Sequence, residues 1–341
     1  MAVDPPFSNY EHEIYAASML AGRKPARSLD WRELERDAYA MLSRGPRGYI
    51  QGGAGRGHTI RANREAFDEW RIVPRMLRDV SERSLERTVL GTKLPAPVLL
   101  APIGVQTVAH PEGELASARA CAHVGLPLIA STAASHTIEQ IAQAAGEQSC
   151  WYQLYWPRDR ELARSFIARA EKSGYEAVVV TLDTWLLGWR PADLSEGFLP
   201  FLRECTDLPI VLKGIQSAED ALLAVGHGIE GIIVSNHGGR QVDGAIGALQ
   251  ALPGVVEAVG ERCEILFDSG IRSGADALKA LALGARAVCL GRPYVWGLAL
   301  GGEQGVVEVL RAFLAELDLN MALSGHASID EVGPHTLVAQ R

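Results

Sequence analysis

The sequence predicts an α/β fold in which eight parallel strands close into a TIM (β/α)8 barrel. From residue 97 onward, eight short apolar runs alternate with stretches of helical periodicity. Most of these runs are apolar at nearly every position, which indicates strands buried on both faces, as in a parallel sheet covered by helices. The first run ends in Pro102-Ile103-Gly104 and lacks the glycine-rich turn that opens a doubly wound nucleotide-binding sheet. The barrel is therefore favoured over the open sheet.

The predicted elements follow one another in regular order. Strands are expected at residues 97–101, 126–130, 151–155, 177–183, 209–214, 231–236, 264–268 and 287–291. Helices are expected at residues 29–42, 111–123, 158–172, 218–227, 274–283 and 303–323. We divide the chain into a mainly helical N-terminal extension (1–96), the barrel (97–323) and a C-terminal cap (324–341), which together form one structural domain.

The interval between the fourth and fifth predicted strands is unusually short. It has room for a loop and barely two helical turns, around residues 198–204. We therefore expect an abnormally short loop, or a break in the chain, between about Ala192 and Pro200.

Composition favours an enzyme that acts on a small molecule. The net charge of −8 supplies no basic surface for nucleic acid or anionic lipid. None of the five cysteines forms a C-x-x-C pair, so neither a metal site nor a disulfide framework is predicted. No apolar run approaches the roughly 20 residues that span a bilayer, and the N-terminus does not resemble a secretion signal. A cytoplasmic location is expected.

Polar residues collect where the predicted strands end, which is where barrels of this type build their active sites. These residues are Gln153, Tyr155, Thr181, Asp183, Lys213, Ser235, His237, Asp268, Arg272, Gly291 and Arg292. In the heptad SNHGGRQ (235–241), two glycines after His237 leave space for a flat ligand, and Arg240 can bind a carboxylate through two hydrogen bonds. The alternative is a glycine turn that carries a surface histidine and arginine. After the last two strands, DSGIR (268–272) and GRP (291–293) favour a phosphate site.

The heptad resembles the signature of the FMN-dependent 2-hydroxy acid oxidising family, which includes glycolate oxidase, lactate oxidase and flavocytochrome-type lactate dehydrogenases. The resemblance runs from about residue 45 to the C-terminus through APIG, HPEGE, QLY, TLDT, LKG, DSGIR, ALALGA and GRP. Within the family the chain is most similar to the lactate 2-monooxygenase branch, through YEHEIY, HTIRANREAF, TLDTWLLGWRPADL and GRPYVWGLALGG.

The resemblance implies a role for each site residue. His237 would take the hydroxyl proton of the substrate as the C2 hydrogen leaves for the flavin, and Asp183 would stabilise the charged imidazole. The substrate carboxylate would be bound by Arg240, Arg190 and Tyr49, and the substrate hydroxyl by Tyr155. The resemblance also implies the residues that bind FMN. Pro102, Ile103 and Gly104 would lie beside the ring, Ser131, Gln153 and Thr181 would contact its polar edge, and Lys213 would lie near N1 and O2. Asp268, Arg272, Gly291 and Arg292 would bind the ribityl chain and phosphate, and Ser235, Ser269 and Gly270 are further implied FMN-binding residues. Tyr49 and Arg190 have plainer alternatives, as a packed aromatic and a solvated loop residue.

Several functional outcomes are open from the sequence. The first expectation is oxidative decarboxylation of L-lactate by O₂ to acetate and CO₂; the alternative is an oxidase that releases the keto acid and H₂O₂. Gly104, where many oxidases of the family have alanine, favours the monooxygenase, and Ala133 in place of a large aromatic residue leaves room for lactate or a longer or aryl hydroxy acid such as mandelate. More distant alternatives are a Schiff-base lyase that uses Lys213 and a catalytically silent phosphate-binding barrel. Family resemblance implies a homotetramer or homo-octamer.

Overall fold

The computed structural model describes residues 6–22, 25–184 and 192–340, and the side chains of all of these except 192–197. The N-terminal extension contains four helices, α1 (Asn9–Ala21), α2 (Trp31–Met41), α3 (Arg44–Gln51) and α4 (His58–Asp68). It also contains three short strands, β1 (Trp70–Ile72), β2 (Arg87–Val89) and β3 (Thr92–Leu94). The prediction of a mainly helical extension missed these strands.

The predicted barrel is confirmed. Eight parallel strands close in the order β10-β11-β4-β5-β6-β7-β8-β9. They are β4 (Val98–Leu100), β5 (Leu128–Ser131), β6 (Cys150–Leu154), β7 (Val178–Thr181), β8 (Ile210–Ile215), β9 (Gly231–Val234), β10 (Glu264–Phe267) and β11 (Ala287–Leu290). Every strand lies within one of the predicted apolar runs or extends it by one residue.

Helices surround the barrel. They are α5 (Gly113–Val124), α6 (Ile138–Ala145), α7 (Arg160–Lys172), α8 (Ala192–Cys205), α9 (Ala218–Gly226), α10 (Ala248–Val259), α11 (Gly274–Ala282) and α12 (Arg292–Leu323). Side chains cap several of them: Asp159, Ser217 and Ser273 accept hydrogen bonds from backbone N–H groups in the first turns of α7, α9 and α11. The backbone of α12 leaves helical geometry at Gly301 and Gly302, and the part beyond that kink corresponds to the predicted helix 303–323.

The interior of the barrel is a packed apolar column that is closed at its lower end. Inward-facing residues such as Trp151, Val211 and Leu266 are fully buried in one cluster together with Val89 and Leu94. The last two belong to the hairpin of β2 and β3. The hairpin therefore seals the N-terminal ends of the barrel strands, which leaves the C-terminal ends as the open face.

The chain terminus packs back on the extension. Strand β12 (Leu337–Ala339) pairs antiparallel with β1, with Trp70 opposite Ala339.

None of the helices in the described part of the chain has the length and apolar character needed to cross a bilayer.

The short interval after the fourth barrel strand differs from the prediction. A break or loop between Ala192 and Pro200 was expected, whereas α8 runs continuously from Ala192 to Cys205. The helix continues through Pro200, and its buried Phe198 and Leu202 pack into the barrel's outer core. The expected two helical turns are thus the second half of a 14-residue helix.

Candidate active site

A cavity of about 810 Å³, including its open mouth, lies at the C-terminal ends of the barrel strands. Most of the predicted site residues line it: Tyr49, Pro102, Ile103, Gly104, Tyr155, Lys213, His237, Arg240, Asp268, Ser269, Gly270, Arg272, Gly291 and Arg292. Asp183 and Ser235 are hydrogen-bonded to lining residues, and Ser131, Gln153 and Thr181 lie in neighbouring strands at the same end. Arg190 lies outside the described residues. Ile50, Ile271, Cys289 and Val295 also line the cavity and were not predicted.

A histidine–aspartate pair stands at the cavity wall. The Nδ1 atom of His237 lies 2.7 Å from Oδ1 of Asp183. Burial acts to raise the pKa of Asp183, but the charge of Lys213 and the contact with His237 outweigh it, so this pKa lies below its ordinary value. Asp183 is therefore ionised and places a negative charge against the imidazole of His237. Among the described residues only Nδ1 of this imidazole is engaged, so Nε2 can accept a proton from a ligand.

The turn that presents His237 is strained and firmly held. His237 has φ of +57°, a left-handed conformation that a residue with a Cβ rarely adopts. The hydroxyl of Ser269 accepts hydrogen bonds from Asn236 N and Gly238 N, and Ser235 Oγ accepts one from His237 N at 3.1 Å. Strain of this kind persists only where the surroundings over-determine the conformation, and it is common at functional sites.

A reciprocal amide pair supports the same turn. Asn63 of α4 donates to Oδ1 of Asn236 at 2.8 Å, and Asn236 donates back to Oδ1 of Asn63 at 2.7 Å. Both residues are buried. Asn63 lies in the segment HTIRANREAF, but this role was not predicted. No local pattern marks it, because the burial that makes the amide need partners is known only from the structure.

The floor of the cavity carries one buried ammonium group. Lys213 is 3% exposed, and its Nζ lies 3.2 Å from Oδ2 of Asp268 and 2.9 Å from Oγ of Ser235. Burial alone would lower the pKa of Lys213, but Asp268 and Asp183 together raise it well above its usual value. A Schiff-base lyase needs a lysine whose pKa is lowered, and the pKa of Lys213 is shifted in the opposite direction, which disfavours this alternative from the sequence.

Two arginines meet at the opposite end of the cavity without a carboxylate. Arg272 donates to the Ile271 carbonyl and lies over the ring of Trp296, and Arg292 donates to three backbone carbonyls. Among the described residues neither forms an ion pair. Burial and the repulsion of Arg292 lower the pKa of Arg272 to about 9. Two like charges of this kind, Arg272 buried and Arg292 partly buried, call for an anion between them.

Two buried polar atoms near the third and fourth barrel strands have no hydrogen-bond partner within the described part of the chain. They are Nε2 of Gln153 and Oγ1 of Thr181. The Oε1 atom of Gln153 is held by Ser131 at 3.0 Å, which fixes the direction of the amide. An unpaired buried donor is costly, so both atoms fit a polar ligand.

Comparison with known proteins decides the family. A family model described as FMN-dependent dehydrogenase matches residues 38–201 and 198–339. The chain belongs to this family. The L-lactate oxidase of Lysinibacillus sphaericus is 42% identical over 353 residues, covering 90% of this chain and 92% of that protein. The 4-hydroxymandelate oxidase of Amycolatopsis orientalis is 39% identical, covering 87% of this chain and 94% of the relative. A solved structure of mandelate oxidase has a TM-score of 0.84, 38% identity and coverage of 92% and 98%.

As a member of the FMN-dependent family, the protein uses FMN to oxidise a 2-hydroxy acid. The residues present fit this cofactor. FMN has a phosphate dianion at one end, which the uncompensated charges of Arg272 and Arg292 suit. Its flat ring carries donors and acceptors on one edge, which the unpaired atoms of Gln153 and Thr181 suit.

Relatives in the family are longer than this chain at one internal place. The alignment with the L-lactate oxidase spans 353 residues, whereas 90% of this chain is about 307, so about 46 aligned positions have no counterpart here. The family model also matches in two pieces that meet at residues 198–201, in α8. The predicted shortening after the fourth barrel strand is therefore a real difference from the relatives.

At the mouth of the site, Arg240 and Tyr49 lie against each other. The Arg240 guanidinium carbon is 4.9 Å from the centre of the Tyr49 ring, and the side chain donates to the carbonyls of Tyr49 and Gly52. The hydroxyl of Tyr49 reaches the Gly104 carbonyl at 3.4 Å. Burial raises the pKa of Tyr155, so its hydroxyl stays a neutral donor that faces the cavity.

Proposed function

We propose that the protein oxidises a small L-2-hydroxy acid, with L-lactate as the first candidate, and transfers the electrons to O₂. The observation that carries this proposal is the His237–Asp183 pair, whose histidine lines one cavity together with Arg240 and the buried charge of Lys213. When bound, FMN accepts the C2 hydrogen of the substrate with its electron pair and passes two electrons on to O₂. The chain's own residues then have to bind the substrate, take its hydroxyl proton and balance the charge.

In this proposal His237 is the base. Its free Nε2 takes the proton of the substrate hydroxyl, and Asp183 stabilises the resulting imidazolium through the 2.7 Å contact to Nδ1. The left-handed turn holds the imidazole in one place, so no reorganisation is needed during the reaction.

Binding of the substrate falls to the groups at the mouth. Arg240 offers a planar pair of donors to the carboxylate, joined by the hydroxyl of Tyr49. The family resemblance implies Arg190 as a further partner of the carboxylate. Tyr155 donates to the oxygen that becomes the keto group. These contacts orient C2 and leave the hydroxyl facing His237.

The cofactor is proposed to lie along the rest of the cavity. Its phosphate would be bound by Arg272 and Arg292 with the backbone of the turns at 269–271 and 291, and Lys213 and Asp268 would meet the polar atoms between ring and ribityl chain. Ser131, Gln153, Thr181 and Ser235 would bind the polar edge, and Pro102, Ile103 and Gly104 would pack against the ring.

The fate of the keto acid separates an oxidase from a monooxygenase. Decarboxylation needs the keto acid to stay beside the peroxide that forms, so the product must be retained. The alignment with the L-lactate oxidase contains about 46 positions that this chain lacks, and the two curated relatives described above carry the names of oxidases. Their likeness supports release of the keto acid. We therefore favour an oxidase that yields pyruvate and H₂O₂ from L-lactate.

Oxidative decarboxylation to acetate and CO₂ is the second candidate. It is supported by Gly104, whose missing side chain leaves space beside the ring, and by the likeness to lactate 2-monooxygenase. The space is tight, because a Cβ on Gly104 would lie 2.9 Å from the Ala133 carbonyl oxygen.

Product analysis tests the assignment. Aerobic turnover of L-lactate is followed with separate measurement of pyruvate, acetate and H₂O₂. Equal amounts of pyruvate and peroxide are expected when catalase is absent. Acetate that forms in the presence of catalase would exclude free peroxide as its source and would favour the monooxygenase instead. Parallel reactions with glycolate and L-mandelate determine the substrate, and lactate is expected to give the highest kcat/KM.

We also propose that the protein forms a homotetramer or homo-octamer. This rests on the family resemblance. Light scattering of the FMN-loaded protein is expected to give four or eight times the 36.7 kDa of one chain, and a monomer would contradict the proposal.

A further inference from the structure

A fully buried carboxylate lies beneath the active-site loops. Glu114, in the first turn of α5, is 0% exposed and belongs to the HPEGE motif (110–114). Its Oε1 accepts hydrogen bonds from Gln106 N at 2.9 Å and from Ser135 N at 3.0 Å, and its Oε2 lies 2.9 Å from Nδ1 of His136. A buried carboxylate is costly unless such donors satisfy it. The Glu114 carboxylate therefore joins two loops, one that contains Gln106 and one that contains Ser135 and His136.

The first of these loops lines the site, and the second packs against the first. The loop after β4 contains Pro102, Ile103 and Gly104, which line the cavity, and the loop after β5 contains Ala133. The loops touch directly, because Val105 N donates to the Ala133 carbonyl at 3.0 Å and a Cβ on Gly104 would meet Ala133 at 2.9 Å.

The first loop would not keep its shape unaided. Val105 is β-branched and has φ of +53°, a conformation that opposes its side chain. The next residue, Gln106, is the one whose backbone N–H is held by Glu114. The carboxylate thus fixes the strained turn immediately after the residues that line the cavity.

The rest of the motif brings the carboxylate to this place. Gly113 has φ of +43°, and a Cβ there would lie 2.9 Å from the backbone N of Thr107, so only glycine lets α5 begin against the loop. The ring of His110 fills the space beside Gly302 at the kink of α12, where a Cβ would lie 2.9 Å from the ring. The motif therefore ties the loop after β4 to α12, the helix that begins with Arg292.

We propose that Glu114 is a positioning residue: it holds the Pro102–Gly104 backbone and the loop after β5 in the position that packing against the flavin ring requires. The inference rests on the proposed placement of the flavin against that backbone. It predicts that loss of the carboxylate changes the environment of the flavin and the rate of its reduction, not only the stability of the fold.

Three substitutions separate the contributions of Glu114. E114Q keeps an oxygen for both backbone N–H groups and can donate to Nδ1 of His136, so it is expected to lie within threefold of the wild type. E114D is shorter by one methylene and cannot hold both loops at once, and E114A holds neither. A loop displaced by about 1 Å can slow a reaction by about 100-fold. We expect flavin reduction to slow by about 3- to 10-fold in E114D and by about 10- to 100-fold in E114A.

A buried carboxylate far from the cavity supplies the matched control. Asp318 is 2% exposed, accepts from Ser8 N at 2.9 Å and pairs with Arg83. D318A removes a comparable buried acid and is expected to lower the unfolding temperature while leaving the flavin unchanged.

The experiment records three quantities for each FMN-loaded variant: the visible absorption spectrum without substrate, the dissociation constant of FMN, and the anaerobic reduction rate with L-lactate. E114A and E114D are expected to shift the spectrum and weaken FMN binding, whereas D318A does neither at an equal loss of unfolding temperature.

A wild-type spectrum and rate in E114D would overturn the proposal, as would an E114Q variant impaired as strongly as E114A. Should E114A fail to fold, E114D carries the test. If L-lactate does not reduce the wild type, the proposed substrate fails, and the spectrum and FMN affinity still test Glu114.

Discussion

The substitution D183N tests the histidine–aspartate pair without altering its shape. Asparagine can still accept a hydrogen bond from Nδ1 of His237, but it removes the negative charge that faces the imidazole at 2.7 Å. The two side chains are 10% and 19% exposed, so the contact is poorly screened by solvent. For charge centres about 4 Å apart at an effective dielectric constant of about 20, the lost attraction is about 4 kcal/mol. Because this attraction acts mostly on the imidazolium that forms during the reaction, its loss should slow flavin reduction by about 10²- to 10³-fold.

The assay for D183N is anaerobic stopped-flow reduction at saturating L-lactate. Lys213 keeps its contact with Asp268 at 3.2 Å in this variant, so FMN binding should change by less than about threefold. A second comparison uses H237Q and the double variant: because both residues act on one proton, the double variant should be little slower than H237Q alone. A D183N enzyme with full flavin content that is reduced within tenfold of the wild-type rate would refute the electrostatic role of Asp183.

Three further predictions follow from the same contacts. Flavin-free protein should gain stability from inorganic phosphate bound by Arg272 and Arg292. With a Kd of about 1 mM, 10 mM phosphate adds about 1.4 kcal/mol to the free energy of unfolding and raises the unfolding temperature by a few degrees. R272Q should abolish this stabilisation, and chloride at equal ionic strength should not reproduce it. Y49F should raise KM for L-lactate by roughly 10- to 100-fold with little change in kcat, since one hydrogen bond to the charged substrate carboxylate is lost; an unchanged KM would remove Tyr49 from the binding site. Burial and the neighbouring His335 lower the pKa of His326 below its ordinary 6.5. The folded protein therefore binds this proton less readily than the unfolded chain, and the stabilising contribution is complete above about pH 6.5 and is lost as the pH falls below it. The unfolding temperature of H326Q should fall less between pH 7 and pH 5 than that of the wild type, and parallel curves would contradict this assignment.

The barrel was predictable from the sequence because its strands are apolar at nearly every position. The run AVVVTLD contains β7, and PIVLKG contains all but the last residue of β8. The cavity was equally accessible, because parallel strands place their C-terminal ends together: His237 and Lys213 leave neighbouring strands and line one cavity. The pairing of His237 with Asp183 was implied by resemblance, and the 2.7 Å contact agrees with it.

Other features depend on long-range contacts that no local pattern reveals. The hairpin of β2 and β3 has strands of three residues each, too short for a period-two pattern, and it forms because Val89 and Leu94 are buried under the barrel. The first half of helix α8 was expected as a loop or break, but the helix continues through Pro200, where burial of Phe198 and Leu202 outweighs the local preference. Glu114 carries no sign in the sequence of the two loops that it joins, which are 8 and 21 residues away along the chain.

The role of His237 is tested most directly by comparing the wild type and H237Q under anaerobic conditions, both loaded with FMN. We predict that L-lactate bleaches the yellow colour of the wild type within seconds and that D-lactate does not. We also predict that H237Q binds FMN with nearly the same affinity yet is reduced at least 10³-fold more slowly. Bleaching of H237Q at the wild-type rate would contradict the central claim that this imidazole takes the substrate proton.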